Sequence, residues 1–353
     1  MIHACTAAIS APRPSQLGPS SYFGKLRIAS TGFVGIRDDG GGLSPLKDFL
    51  AGGKHDDFCL VKSSGIPDLL LMPRAESVLS MKVSLRRTNL WNQPVMPQPR
   101  TFEEALTQAS FTNDDLDHCR GTHYQLLGGD SFGGGQRKPG AMVNNTINTT
   151  IFLSLISHPA FQLFAGFATG VFATWAPKTF EFYLNYMAVF YNTYTYLSHP
   201  FLNGIWSSCT FNLGPCTATR PHRDHNNLAF GWCAIMVLGN FDHTRGGHLV
   251  LWDCKLIIEF PLGSTILIPS AAILHLNIPI HRNEHRYSFM QYTAGGLFRW
   301  VEQDFKSEEE YLAGLSVKEQ KEEKDLGLKR AKVGAAYFST LDKLKEILFN
   351  VLY

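Results

Sequence analysis

The sequence predicts an α+β fold: a double-sheet jelly-roll or cupin-like barrel of short strands, with packing helices ahead of it and a helical extension behind. Three observations carry that expectation. From Ile205 onward, eight short stretches of strand character alternate with turn signals, the pattern of double-sheet β architectures. Ahead of them no Lys, Arg, Asp or Glu falls between Lys138 and Lys178, so that segment reads as buried helix. Beyond Trp300 the composition turns abruptly to Glu and Lys.

Composition bounds the function. The 353 residues, 44% apolar and 12% aromatic, suffice for one large core with elaborations. A formal charge of +2 permits a nucleic-acid partner without signalling one, because such domains commonly carry a strongly basic footprint. The 7 cysteines are scattered, odd in number and free of C-x-x-C. That argues against a disulfide framework or a zinc site and fits a reducing compartment. The start, MIHACTAAISAPRPS, lacks the basic and apolar regions of a secretion signal, so a nuclear or otherwise cytoplasmic location is expected.

In chain order, residues 1–24 are rich in Ser, Pro, Ala and Gly and are expected to be mobile. Residues 25–140 read as a strand- and loop-rich elaboration. Lys25–Ile36 alternates as a strand and ends at the turn Asp38–Gly42, Pro45–Ala51 suits a short helix, and strands follow at Phe58–Lys62, Leu69–Met72 and Val78–Leu85. Thr101 reads as the N-cap of TFEEALTQA, with Glu103 and Glu104 suiting the helix dipole, and a second short helix begins near Thr112. Residues 126–140 (LLGGDSFGGGQRKPG) read as a Gly-rich loop: a surface linker, or a cover from which Gln136 or Arg137 reaches substrate.

Residues 141–204 should hold packing helices at 148–156, 159–169 and Pro177–Tyr194, the last opening on a proline in its first turn. The apolar run is long enough for a membrane span. Ser154, Ser157, His158, Pro159 and Gln162 interrupt it, however, and no polybasic flank orients it, so no membrane partner is expected. Phe180, Tyr183, Tyr191 and Tyr194 form an aromatic stripe that reads as core.

The core, 205–302, carries strands at 206–213, 217–222, 229–239, 247–252, 255–260, 264–268, 273–279 and 286–293, with Gly246-Gly247 and Gly263 as turns. Residues 303–353 read as C-terminal helices. Between 303 and 332, Lys318–Glu322 and Lys321–Asp325 attract, Glu319–Glu323 repels, and Gly327 ends or weakens the helix. Leu341, Leu344, Ile347, Leu348 and Leu352 then form an apolar stripe suited to docking on the barrel or a partner.

The chemistry lies between Arg220 and Arg299. His222 and Asp224 are two apart, so on a strand both would face one cavity. Two His and one carboxylate on one face of a metal leave positions for a chelating co-substrate and O2, the arrangement of non-haem Fe(II) oxygenases. His275 follows a buried-type strand, Thr265–Ile268, and is the best third ligand, with His281 and His285 as competitors. Arg286 and Ser288 share a strand face, and an Arg fork beside a hydroxyl is a carboxylate clamp; a structural ion pair of Arg286 with Glu284 or Glu259 is the alternative. His225, His243 and His248 read as ordinary core or surface residues.

The order His-x-Asp, Gly-Gly-x-Leu, apolar strand, His and Arg-x-Ser resembles the 2-oxoglutarate/Fe(II) dioxygenases of the double-stranded β-helix fold. The blocks PHRDHNNLAFGWC, RGGHLVLWD, FPLGSTILIPSA and RYSFMQYTAGGLFRWV, with FGGGQ and FATWAPK upstream, are similar to the TET/JBP branch, in particular its fungal, transposon-associated (basidiomycete) members. The resemblance spans about residues 130–305. It implies iron ligation by His222, Asp224 and His275, and 2-oxoglutarate binding by Arg286 and Ser288. It also implies contacts of Asn227 and Tyr292 with a flipped base, with O2 as oxidant and 5-methylcytosine in nucleic acid, expected to be DNA, as substrate. The chain departs from the animal members at Ala294, where they carry a base-contacting His. Oxidation of a protein side chain or small molecule, and an inactive transposon-linked relic, stand as alternatives.

Overall fold

The computed structural model describes residues 59–62, 81–84, 99–340 and 342–344. The expectations for 1–24, Lys25–Ile36, Asp38–Gly42, Pro45–Ala51, Leu69–Met72, Leu341, Ile347, Leu348 and Leu352 lie outside them. The described chain is a mixed α and β structure built on two sheets.

Its strands and helices are β1 (Cys59–Val61), β2 (Met81–Ser84), α1 (Pro99–Gln108), β3 (Asp117–His118), β4 (Gly121–Thr122), β5 (Tyr124–Ser131), β6 (Gly140–Ala141), α2 (Thr146–Ser157), α3 (Pro159–Trp175) and α4 (Pro177–Thr193). There follow β7 (Ser208–Gly214), β8 (Cys233–Asn240), β9 (Leu249–Leu251), β10 (Leu256–Ile258), β11 (Ser264–Ile268), β12 (His275–Asn277), β13 (His285–Tyr292), α5 (Gly295–Glu302), α6 (Glu308–Ala313) and α7 (Val317–Ala335). The larger sheet runs β2-β11-β8-β13-β7-β5-β6 and the smaller β1-β10-β9-β12. Their pairings are antiparallel except β1 with β10.

Alternation sorts each central strand into two faces. On one face of the large sheet, Phe211, Leu213, Met236, Leu238, Tyr287 and Phe289 pack with Phe102 of α1, Phe152 of α2 and Phe161 of α3. The Phe161 ring stands edge-on to Phe211 at 4.9 Å, a favoured aromatic geometry. On the other face Ile235, Val237, Ile266, Ile268 and Met290 join Leu249, Leu251 and Ile258 of the small sheet in one cluster, so the sheets face each other across a shared interior. Arg286, Ser288, Met290 and Tyr292 therefore point between the sheets, while Tyr287 and Phe289 point at the helices.

The helical segment follows the sequence reading, with longer spans for α2 and α3 and α4 ending at Thr193. Asn145 caps α2, accepting from Asn148 N at 2.8 Å. His158 caps α3 through its ring, and Pro159 opens that helix. Among the described residues no single helix is long and apolar enough to cross a membrane. The α2–α3 pair passes on length and composition but is bent by 65°.

Several expectations are corrected. Helix α1 begins at Pro99, two residues before Thr101, because proline suits the first helical position. The second short helix is a 3-10 turn, Asn113–Asp115, boxed by Thr112 and Asp115. Residues 126–131 are not loop but part of β5, paired with β7. Their glycines serve close approach, since a Cβ on Gly128 would come within 2.4 Å of the Phe152 ring. Residues 217–222 form no strand, only isolated bridges at Thr219 and His222. Pro221 removes a donor there, and side chains fix the segment instead. The acidic-basic stretch breaks into α6 and α7, each opened by a Ser capping box, and α7 runs through Gly327. Helix α5, absent from the sequence reading, begins directly after Ala294. Leu344 is buried with the α4–α5 aromatic cluster.

Two outcomes are expected. Gly128→Val should cost about 1–3 kcal/mol in urea denaturation by overpacking Phe152, and Phe152→Ala in the same chain should recover part of that loss. Asp130 is 2% exposed, and burial raises its carboxyl to about 6. The folded state then holds its proton more tightly than the unfolded chain, so this group's contribution falls as pH rises from about 4 to about 6. The stability difference between wild type and Asp130→Asn should shift towards the variant across that window; a difference flat in pH would contradict it.

Candidate metal centre

The segment 220–224 is positioned by its neighbours rather than by a sheet. Arg220 reaches back to Asp117 Oδ1 at 2.8 Å and to the His118 carbonyl at 3.2 Å, gripping the β3–β4 hairpin. Arg223 donates from Nε to the Ala272 carbonyl at 3.0 Å and from its Nη2 nitrogen to both Asp253 oxygens at 2.9 and 3.0 Å. Between these anchors, His222 and His275 exchange backbone hydrogen bonds, N to O and O to N, both 3.0 Å. Residues paired this way in an antiparallel bridge present side chains on the same face, and the two imidazole centroids lie 4.3 Å apart. Asp224 N donates to the Ser270 carbonyl at 3.0 Å.

The outcome is a buried cluster in which one ligand-type atom each from His222, Asp224 and His275 lies within 4.8 Å of the others. Among the described residues it is the one such group of His, Cys, Asp or Glu. His285, a competitor on sequence, instead sits 3.1 Å from Glu103 near α1. His222 Nδ1 lies 2.7 Å from the Arg220 carbonyl and His275 Nδ1 2.9 Å from the Ile273 carbonyl. A carbonyl only accepts, so both Nδ1 atoms carry the proton and both Nε2 lone pairs are free.

Electrostatics reinforce this arrangement. Burial, then the neighbouring His275, pushes His222 down to about 3, and burial also lowers His275. Burial alone would raise Asp224; Arg120 first, then both histidines, outweigh it and bring the carboxyl to about 2. At neutral pH the cluster therefore holds two neutral imidazoles and one carboxylate. Arg120 lies 2.9 Å from Asp224 Oδ1, while Oδ2 has no hydrogen-bond partner. Arg120 was not singled out from sequence; only its neighbouring Gly121, which a Cβ would drive into the Ala218 carbonyl, marks the site of close approach.

Arg286 is 1% exposed. Its Nη1 donates to the Thr217 carbonyl at 2.7 Å, and Nε and Nη2 have no partner. The expected alternative of an ion pair with Glu284 does not hold: Glu284 accepts from the backbone of Asp242 and His281 at 2.8 and 2.9 Å. With no carboxylate beside it, burial pushes the guanidinium down to about 9. Ser288 lies on the same face, and its oxygen accepts from Asn212 Nδ2 at 2.7 Å, leaving the hydroxyl proton free to donate. Asn212 sits directly opposite Ser288 across β7. His123, 2% exposed and lowered to about 3 by burial, adjoins Asn212. Cross-strand and long-range partners of this kind carry no local sequence signal.

Asn227 and Tyr292 flank the cluster. Asn227 Nδ2 donates to Ser270 Oγ at 3.2 Å, on the residue whose carbonyl accepts from Asp224 N, and its backbone bridges to Ala294. Tyr292 is half-buried, with its hydroxyl 3.1 Å from Thr210 Oγ1. Burial pushes that hydroxyl up to about 12, and it feels the charges of Arg120 and Asp224. Gln136 turns away: its side chain accepts from Gly133 N within its own loop.

No protein-family model matches the sequence, and no curated protein matches it. Among solved structures, NgTET1 in complex with 5mC DNA is similar at 14% identity and a TM-score of 0.45, over 72% of this chain and 91% of that one. An oxidoreductase of the 2OG-Fe(II) oxygenase family from Burkholderia pseudomallei is similar at 14% identity and 0.32, over 75% and 96%. The viral collagen prolyl hydroxylase vCPH from Paramecium Bursaria Chlorella virus-1, in its 2OG complex, is similar at 16% and 0.19, over 24% and 55%. At these scores the chemistry of the site rests on its own geometry.

An unpaired buried guanidinium costs folding free energy. Arg286→Met should therefore raise the stability of the ligand-free protein by about 1–3 kcal/mol in urea denaturation, the cost of buried donors left unsatisfied. A loss of stability would mean that Arg286 is a structural residue.

Proposed function

We propose that the protein is a 2-oxoglutarate- and Fe(II)-dependent dioxygenase on a double-stranded β-helix core, oxidising the methyl group of 5-methylcytosine or a related base in nucleic acid. The observation that carries the reading is the convergence, in one interior, of the His222–Asp224–His275 cluster with a buried Arg286 lacking any carboxylate. Donor chemistry fits the metal: two imidazole Nε2 lone pairs fixed by their carbonyl partners, and a carboxylate with one oxygen unpartnered. Donor chemistry also fits the co-substrate, because two unsatisfied Arg286 nitrogens and the Ser288 hydroxyl suit a carboxylate.

His222, Asp224 and His275 would hold the iron, and Arg286 with Ser288 the far carboxylate of 2-oxoglutarate. When bound, iron would supply oxidation of a C–H bond by O2, with 2-oxoglutarate leaving as succinate and CO2. The chain's own contribution is positional. The Arg220 and Ile273 carbonyls hold both imidazoles in one tautomer, and Ser270 braces Asp224 and Asn227 together. Asn227 keeps its Oδ1 acceptor for a base amine, and the Tyr292 ring offers an aromatic surface beside the cluster. An amide with a stacking aromatic is what a flipped base requires.

One observation favours a second reading. Among the described residues, Arg120, Arg220 and Arg223 adjoin the cluster or its segment, and each is paired with a carboxylate, Asp224, Asp117 and Asp253 respectively. Cations so engaged hold phosphates weakly, which favours oxidation of a protein side chain or a small molecule.

Nucleoside mass spectrometry on a 5-methylcytosine duplex, with Fe(II), 2-oxoglutarate and succinate counting, tests both. Oxidised methylcytosine is expected from the wild type and not from His222→Ala or Arg286→Ala. Succinate without an oxidised base would select the second reading. Neither product, from folded and iron-loaded protein, would sink both.

A further inference from the structure

The three proposed ligands arrive on two chain segments, 222–224 and 272–275, and the geometry points to Asp253 and Arg223 as the pair that sets the distance between them. The inference rests on the metal reading above and adds positioning residues to it.

Arg223 lies between His222 and Asp224, and its guanidinium is engaged by Asp253 and the Ala272 carbonyl. Its Nη2 nitrogen meets both oxygens of Asp253 at 2.9 and 3.0 Å, and its Nε reaches the Ala272 carbonyl at 3.0 Å. Asp253 Oδ2 also accepts from Leu274 N at 2.6 Å, and Leu274 directly precedes His275. Trp252 N donates to the Leu274 carbonyl at 2.8 Å, so the turn after β9 is itself fixed to the same segment. One carboxylate thus ties the residue between two ligands to the residue before the third. The backbone bonds at His222–His275 join the same two segments, and Asp224 N reaches the Ser270 carbonyl just ahead of the second.

Magnitudes separate positioning from simple stapling. The side chains of Arg223 and Asp253 are 36% and 43% exposed. Exposed ion pairs contribute about 0–1 kcal/mol to folding. Partners that orient metal ligands, by contrast, typically govern affinity by about 10–100-fold. The pair is expected to matter far more for the metal than for the fold.

The test titrates the full chain with Co(II) alone, following its visible absorption, beside thermal unfolding of the metal-free protein. The proteins are wild type, His222→Ala, Asp253→Ala, Arg223→Ala, the double variant, and Asp253→Asn, which keeps an acceptor for Leu274 N. Asp253→Ala and Arg223→Ala should each bind about 10-fold more weakly with an altered spectrum. The double variant should be no weaker than the worse single, Asp253→Asn should lie between, and unfolding midpoints should stay close to wild type. Wild-type affinity in both single variants, or affinity that falls only in step with the midpoint, overturns the inference while the metal reading stands. Equal Co(II) binding by wild type and His222→Ala overturns both.

Discussion

The paired backbone hydrogen bonds between His222 and His275 are the contact on which the site depends. Residue 222 belongs to an irregular stretch and residue 275 opens a three-residue strand. Neither element is long enough to define a direction by itself. The two reciprocal bonds bring the Cα atoms into register and turn both rings to one side. Asp224 then falls into place through Ser270. Arg220 and Arg223, on either side of His222, hold the stretch from opposite directions, so a segment without sheet support still carries a defined geometry.

That geometry is assembled against the general preference of protein interiors. The space between the sheets is lined by Ile, Val and Leu, and into it the chain places a carboxylate, two imidazoles and a guanidinium. Asp224 is compensated by Arg120. Arg286 has only the Thr217 carbonyl. The aromatic layer on the opposite face of the large sheet, Phe102, Phe161, Phe211, Tyr287 and Phe289, supplies the burial that lets the fold tolerate this. Function and stability are divided between the two faces of the same strands, residue by residue, along β13.

Much of this division was legible in the sequence. A period of two along Arg286–Tyr292, an apolar run bounded by Gly263 and Pro269, and His-x-Asp are local patterns, and local patterns survive in a linear string. The helices were legible for the same reason, from an uncharged apolar run interrupted around Pro159 and from Pro177 at the start of the last. What was not legible arrives by tertiary contact. Arg120 lies on the far side of three helices in sequence from Asp224, and Asp253 gains meaning only when Arg223 and Leu274 meet on it. Gly128 and Gly129 misled because glycine marks a loop and a close approach equally well; only the Phe152 ring against Gly128 and the Ser207 carbonyl against Gly129 distinguish them. The strand expected at 217–222 failed because Pro221 and two arginines suit a braced irregular segment better than a ladder.

Strand β5 lies earlier in the chain than the three long helices, yet it hydrogen-bonds along β7 from Gly129 to Tyr124. The large sheet is thus extended on that side by β5 and its short partner β6, both separated from β7 in sequence by three helices. Modularity follows a different boundary from composition. A fragment cut at Ile205 would keep every proposed ligand and still present β7 as a bare edge, an invitation to intermolecular pairing. The unit that can be moved between proteins, or inherited intact, has to begin upstream of Arg120.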